Sequence, residues 1–280
     1  QHVAAGIAPN GQVQVAATVR NATGPDPGVA LVLLPAFERN AAALHPSGVV
    51  AAHTTSRQLG NSPAQMLASA LATVGDVDGD GVEDVLAAGS HSPTVPVLSL
   101  LFGETDGIPA RDVVRTSLQT STEATGQTVQ MLGAPQGADF EWRDVRGVNQ
   151  VAAVGDVNLD GVPDALVGLR VQSAFGVANR GAVGVAFFNS NGIMSQLSAS
   201  RRALWAESLP PIGSDDAIDP AQDTSMSGMS VASMGDHTGS GQLDIAAAWS
   251  TDAVARECNL ALLQYAAAAD EWTPRTLVLC

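Results

Sequence analysis

A motif that recurs at a constant spacing of 80 residues constrains this 280-residue chain more than any other feature. Each copy begins with an Asp and continues as a short stretch rich in Asp and Gly, between two apolar runs of Val, Ala and Leu. We call the copies the Asp76 loop (76–84), the Asp156 loop (156–164) and the Asp236 loop (236–244). Equal spacing of a long motif predicts a repeat architecture in which each copy forms one structural unit.

The apolar runs around each loop predict β-strands, because they are short and bounded by Gly, Pro, Asn and Asp. Each unit then contains four strands, A to D, in an antiparallel meander whose acidic loop joins A to B. The predicted ranges are A at 68–74, 151–154 and 230–234; B at 85–89, 165–169 and 245–249; C at 95–102, 181–188 and 259–265; and D at 112–118, 194–204 and 275–280.

The residues before the first loop fit an incomplete unit, with strands B, C and D at 13–19, 29–34 and 49–53 but no strand A. This predicts an open sheet edge near 13–19, which we expect a strand from a neighbouring subunit or a longer chain to fill. Residues 1–280 thus form one repeat region whose opening, second, third and fourth units span 1–58, 66–118, 148–204 and 229–280.

The Asp76 loop has the residue pattern of a Ca²⁺ site. Asp76, Asp78, Asp80 and Asp84 stand at positions 1, 3, 5 and 9, and the Val82 carbonyl at position 7 offers a further oxygen. Ca²⁺ binds six to eight oxygens at about 2.3–2.6 Å, whereas Mg²⁺ suits a dense protein cage less well. An EF-hand is excluded, because position 12 is not Glu and the flanking runs are strands.

The other two loops keep this pattern to different degrees. In the Asp156 loop an amide replaces one carboxylate. In the Asp236 loop two hydroxyl groups replace two carboxylates, so Ca²⁺ affinity should decrease from the first loop to the third. An ordinary turn is the alternative for any single loop, and the constant spacing favours metal binding. The predicted ligands are Asp156, Asn158, Asp160, Val162 (carbonyl) and Asp164, and then Asp236, Thr238, Ser240, Gln242 (carbonyl) and Asp244.

At these residues the sequence resembles the FG-GAP repeat of integrin α-subunit β-propellers and of many secreted proteins. Val231-Ala-Ser-Met-Gly-Asp236 carries the resemblance most closely. The resemblance implies an all-β propeller of four-stranded antiparallel blades, with structural Ca²⁺ and an extracellular, structural, adhesive or assembly role. The 80-residue period is longer than usual, and about four units are too few for a seven-bladed ring. A four-bladed ring, part of a larger ring, and a ring completed by another chain remain open.

Charge and hydropathy exclude two classes of partner. The chain has 28 acidic and 13 basic residues, giving a net charge of −15, so it offers no basic surface for nucleic acid. No apolar run approaches the roughly 18–20 residues of a membrane span. We expect protein partners or neighbouring subunits, and glycans as a further class of ligand.

No motif of a known catalytic site is present, so the sequence predicts no catalytic residue. Two other classes remain as alternatives: a carbohydrate-active or hydrolytic enzyme built on or beside a propeller, and a lectin. Trp142, Trp205 and Trp272 are candidates for a sugar-stacking platform, although packing in the core or in an insertion is the simpler interpretation.

Cys258 and Cys280 are predicted to form a disulfide, because they begin strand C and end strand D of the fourth unit. Facing residues of an antiparallel pair have numbers with a constant sum, and these two centre the hairpin on Ala269, where a connection is expected. Two separate thiols, or pairing of Cys280 outside the chain, are the alternatives. The disulfide and a glycosylation sequon at Asn21 fit an extracellular protein.

Overall fold

The computed structural model describes residues 3–7, 13–17, 30–33, 55–58, 70–92, 95–103, 114–117, 122–123, 130–132, 145–171, 173–174, 177–178, 181–199, 230–250 and 258–279. Over these residues the chain is all-β, as predicted, and its only helix is the 3-10 helix Ala267–Ala269. All described strand pairs are antiparallel except one pair in the third unit.

The opening unit corrects one prediction. Its described strands are β1 (Val3–Ile7), β2 (Val13–Ala17), β3 (Ala30–Leu33) and β4 (Thr55–Gln58). β1 pairs antiparallel with β2, so the prediction that this unit lacks strand A, with an open edge there, is wrong. The sequence pattern did not predict β1 because no acidic loop follows this strand. The strand that pairs with β3 is β4, and the predicted strand D at 49–53 lies outside the described residues.

The second unit forms one sheet in the order β5-β6-β7-β8-β9. Its first four strands match the predicted strands A to D, and β9 adds a short fifth strand after D. The strands are β5 (Ala70–Gly75), β6 (Asp84–Ser92), β7 (Val95–Leu101), β8 (Val114–Ser117) and β9 (Thr122–Glu123).

The third unit has the order β10-β16-β15-β12-β11, in which β11, β12, β15 and β16 are strands A to D. β10 pairs parallel with β16 at the outer edge, and β13 and β14 form a separate small hairpin. The strands are β10 (Gln130–Leu132), β11 (Val145–Gly155), β12 (Asp164–Val171), β13 (Ser173–Ala174), β14 (Val177–Ala178), β15 (Gly181–Phe188) and β16 (Met194–Ala199).

The fourth unit is the simple meander that the repeat predicts, in the order β17-β18-β19-β20. The 3-10 helix lies in the connection between its last two strands, where the hairpin centre was expected. The strands are β17 (Ser230–Gly235), β18 (Leu243–Ser250), β19 (Cys258–Ala266) and β20 (Glu271–Leu279).

The core of the described residues lies between the second, third and fourth units, because each of these sheets packs a face against the next. One cluster combines Leu86 and Phe102 of the second unit with Val167 of the third, and the other combines Leu166 of the third with Ile245 of the fourth. Alternate residues of β12 therefore point to opposite neighbours, as strand geometry requires. Burial on both faces explains why these strands read as continuous apolar runs.

The first strands of successive units lie side by side, β1 beside β5, β5 beside β11, and β11 beside β17. They belong to different hydrogen-bonded sheets, so side chains rather than backbone ladders join the units there. The acidic loops follow directly from three of these strands, at the end where strand A turns into strand B.

Candidate metal centre

Each acidic loop is closed by the same backbone pairing. The Gly before the first Asp faces the last Asp of the loop, with an irregular register beside it, as in the pair Gly75 and Asp84. Gly155 faces Asp164 and Gly235 faces Asp244 in the same way. The repeat in sequence is therefore a repeat in structure, and the ninth loop residue stands at the start of strand B in each unit.

In the Asp76 loop, the first carboxylate organises the turn. The backbone N–H of Gly79 donates to Asp76 Oδ1 at 2.7 Å and that of Asp80 to the same oxygen at 3.0 Å. The N–H of Gly81 donates to Asp76 Oδ2 at 2.7 Å. The Asp78 carboxylate accepts from the N–H of Asp80 at 3.2 Å. These bonds curl the backbone around the side chains at the odd-numbered positions.

Asp84, the last carboxylate of this loop, is fully buried. Its Oδ2 accepts from the Val77 N–H and its Oδ1 from the Gly103 N–H, both at 2.8 Å. Burial raises the pKa of Asp84 to about 7, and these hydrogen bonds only partly offset that effect, while the charges of Asp78 and Asp76 add to it. A bound cation would compensate a buried carboxylate placed in this way.

The carboxylates of Asp76, Asp78 and Asp84 converge, with one oxygen of each within 4.8 Å of the others. Two oxygens bound to the same Ca²⁺ lie at most about 5 Å apart, since each Ca–O distance is about 2.3–2.6 Å. Asp80, also predicted as a ligand, is exposed and does not belong to this group. Its Oδ1 accepts from the N–H of Val82, a buried residue, at 2.8 Å.

The Asp156 loop repeats backbone hydrogen bonds of the Asp76 loop. The N–H of Asp160 donates to Asp156 Oδ1 at 3.0 Å, and that of Gly161 to Asp156 Oδ2 at 2.8 Å. The Asn158 amide donates to Asp160 Oδ2 at 3.0 Å, and its own oxygen accepts from the Asp160 N–H at 3.1 Å. The N–H of Val162 donates to Asp160 Oδ1 at 2.9 Å.

Asp164 is buried as Asp84 is. It accepts from the N–H of Val157 at 3.0 Å and from that of Phe188 at 3.4 Å. Burial raises its pKa to about 7, the two backbone hydrogen bonds lower it, and the charges of Asp160 and Asp156 raise it further. The buried carboxyl group at the ninth position is thus a shared property of the first two loops.

The Asp236 loop has the same backbone turn as the other two loops, but hydroxyl groups replace two of the carboxylates inside it. The N–H groups of Ser240 and Gly241 donate to the two oxygens of Asp236, both at 2.8 Å. The Thr238 N–H donates to Asp244 Oδ2 at 2.8 Å, and the Thr238 hydroxyl donates to Ser240 Oγ at 3.1 Å. Gln242, at the predicted carbonyl position, is half-buried.

Gln264 of β19 reaches into this third loop, which sequence reasoning missed. Its amide nitrogen donates to Asp244 Oδ1 at 2.6 Å. Burial acts to raise the pKa of Asp244, but hydrogen bonds from Gln264 and Thr238 outweigh it, so this pKa lies below its ordinary value. The available signal was a polar side chain within the apolar run Leu260-Ala-Leu-Leu-Gln-Tyr265.

Other predicted residues either lie outside the described residues or are placed away from these loops. Asn21, Trp142, Trp205 and Cys280 lie outside the described residues. Trp272 is buried, with its ring centroid 4.6 Å from that of Tyr265, and its Nε1 donates to Ser198 Oγ at 3.0 Å. It therefore belongs to the core rather than to a sugar platform.

The fold and the loops define an all-β repeat protein with acidic loops at equivalent turns. Comparison with models of protein families and with curated proteins finds no match. Within the described ranges, no helix has the length and apolar character needed to cross a membrane.

Proposed function

We propose that this protein is a non-catalytic, extracellular, Ca²⁺-binding β-propeller that serves as a structural, adhesive or assembly module. The observation that carries the proposal is the convergence of Asp76, Asp78 and Asp84 within 4.8 Å, in a loop whose backbone recurs in the next two units. Three carboxylates in so small a space repel one another, and Ca²⁺ is the hard, oxygen-seeking cation that suits such a set.

The packing of the units supports the propeller. Four-stranded meanders pack face to face with their first strands adjacent, which is how blades surround an axis. The Asp76 and Asp156 loops are neighbours in this arrangement, because a Cβ on Gly75 would lie 2.9 Å from Pro163 of the Asp156 loop. Bound Ca²⁺ would therefore stabilise both the turns and the contact between two units.

The residues that would hold Ca²⁺ are Asp76, Asp78 and Asp84 in the first loop and Asp156, Asn158 and Asp164 in the second, with the outer carboxylates Asp80 and Asp160 beside them. The cation would neutralise the buried ninth carboxylate and fix the strand A to strand B turn. The resemblance to the FG-GAP repeat supports the same role, since it implies structural metal rather than catalysis.

Ca²⁺ removal tests this proposal. We expect chelation to lower the thermal midpoint by about 5–10 °C relative to a hundred-fold excess of Ca²⁺ over its Kd, because a ligand stabilises only the folded state. Asp78→Asn should lose much of this Ca²⁺-dependent shift, measured by calorimetry in both buffers. Glu271→Gln removes the same charge at an exposed residue of β20 and is the matched control. An identical midpoint with and without bound Ca²⁺ would contradict the proposal.

A further inference from the structure

Gln264 stands at a position where the second and third units have an aromatic residue. It faces Asp244 directly across strands β18 and β19. The register of the second unit, in which Val85 faces Leu101, continues to Phe102 opposite Asp84. That of the third unit, in which Ala165 faces Ala186, continues to Phe187 opposite Asp164. Gln264 is fully buried, so its amide must be satisfied by protein groups or internal water.

The contacts of Gln264 orient its amide. The Nε–H of Arg275 donates to Gln264 Oε1. Because a guanidinium has only donors, the oxygen of the amide faces Arg275 and its NH₂ group faces the Asp236 loop. There the nitrogen lies 2.7 Å from Thr238 Oγ1, 3.2 Å from Ser240 Oγ and 2.6 Å from Asp244 Oδ1.

These three oxygens belong to positions 3, 5 and 9 of the loop, and positions 3 and 9 are two of the three positions whose carboxylates converge in the Asp76 loop. An NH₂ group among these oxygens has the role that Ca²⁺ would have in the Asp76 loop. It presents positive charge density to the buried carboxylate and to the turn. Thr and Ser at positions 3 and 5 match a neutral donor, because full carboxylates there would be left unneutralised. Arg275 behind the amide adds a positive charge on the same side.

We propose that the side-chain amide of Gln264 takes the place of the cation in the Asp236 loop and closes this loop without metal. Of the three acidic loops, only the Asp76 and Asp156 loops then bind Ca²⁺. This count of ions rests on the proposed function, whereas the role of the amide does not.

The amide is tested on the intact chain in chelator, where no loop holds metal. Gln264→Met keeps the size and removes the donors, and Gln242→Met makes the same change elsewhere in the loop. We expect Gln264→Met to lower the thermal midpoint by at least about 3 °C more than Gln242→Met and to accelerate amide hydrogen exchange in residues 236–244. Ca²⁺ should not reverse these effects. Equal midpoints and exchange for the two variants would overturn the proposal.

Gln264→Glu tests the same role without removing the acceptor for Arg275. A carboxylate at this point faces Asp244, so we expect the variant to be less stable than wild type in chelator and to recover with Ca²⁺. A variant as stable as wild type in chelator would overturn the role of the amide. Titration calorimetry should count the same number of Ca²⁺ ions for wild type and for Asp236→Asn, and the loss of one ion in this variant would overturn the proposal. If no ion binds, the proposed function fails, and the comparison in chelator still decides the role of Gln264.

Discussion

At the scale of single residues, the buried carboxyl groups Asp84, Asp164 and Asp244 stand at the same loop position with different partners. The first two accept only backbone N–H groups and have a pKa raised to about 7, mainly by burial. Asp244 also accepts from Gln264, and its pKa is lowered. Hydrogen bonds from Gln264 and Thr238 therefore reverse the direction of the pKa shift within the same turn geometry.

This difference predicts the pH dependence of the metal-free protein. Asp84 and Asp164 have a folded pKa of about 7 against 3.8 for the ordinary group, so the folded state binds more protons than the unfolded state between these values. The free energy of unfolding should therefore decrease as pH rises from about 4 to 7. Denaturant unfolding of metal-stripped protein at several pH values measures this change in the free energy of unfolding.

The double variant Asp84→Asn with Asp164→Asn should flatten this dependence, because it removes both titrating groups. Asp80→Asn with Asp160→Asn removes the same charge from exposed positions and controls for the general repulsion of an acidic protein. A slope that is equally reduced by both pairs would show that burial of the ninth residue is not its cause.

At the scale of strands, the last hairpin has the register on which the disulfide prediction depends. Asn259 faces Leu279, Leu260 faces Val278 and Ala261 faces Leu277, pairs whose numbers have the same sum, 538, as Cys258 and Cys280. Cys280 is outside the described residues, so the disulfide stays a prediction. Non-reducing peptide mapping should find the two linked, and reduction should cost about 3 kcal/mol of stability. Free thiols at both positions would contradict it.

A polar cluster joins β16 of the third unit to the last hairpin of the fourth. Ser198 donates to Asp270, Tyr265 OH donates to Asp270 Oδ1 at 3.1 Å, and Trp272 Nε1 donates to Ser198 Oγ at 3.0 Å. Ser198→Ala should lower the free energy of unfolding by about 1–3 kcal/mol, because it leaves a buried indole N–H and a carboxylate without this partner. Denaturant unfolding followed by Trp fluorescence reports the change.

Ser195→Ala is the matched control on the same strand. Its hydroxyl donates to the Phe187 carbonyl at 3.3 Å and is only partly buried, so a cost below about 1 kcal/mol is expected. Equal costs for Ser195→Ala and Ser198→Ala would show that the cluster does not hold the two units together.

At the scale of the whole molecule, the third unit is a sheet covered on both faces by its neighbours. The turn between β15 and β16 marks how closely the units approach. Gly192 has φ 75°, and a Cβ there would lie 2.4 Å from Phe102 Cζ of the second unit. Contact between units, rather than pairing within one sheet, limits the side chain at this turn.

Gly192→Ala should therefore destabilise the protein through both backbone strain and collision with Phe102, by about 2 kcal/mol or more. Gly239→Ala isolates the strain alone, because Gly239 has φ 69° and nothing would meet its Cβ within 4 Å. The difference in stability between the two variants, measured by thermal unfolding, is the contribution of packing between units. Equal losses of stability in both variants would mean that Phe102 moves aside and that packing between the units is loose there.

The strand meander and the turn of each acidic loop followed from sequence, because both depend on residues close together in the chain. Spacing located the loops, apolar runs located the strands, and the hairpin register followed from its connection. The convergence of Asp76, Asp78 and Asp84 is local in the same way, since eight positions separate the first from the last.

Only the tertiary structure decided the features that depend on distant partners. β1 has no acidic loop to mark it and is recognised by its pairing with β2, and β10 pairs with a strand more than sixty positions further on. Gln264 is a polar residue within an apolar run, and nothing nearby in sequence says that its amide meets Thr238 and Asp244. Such contacts have no periodic signature, because packing of whole units, rather than local backbone preference, brings these side chains together.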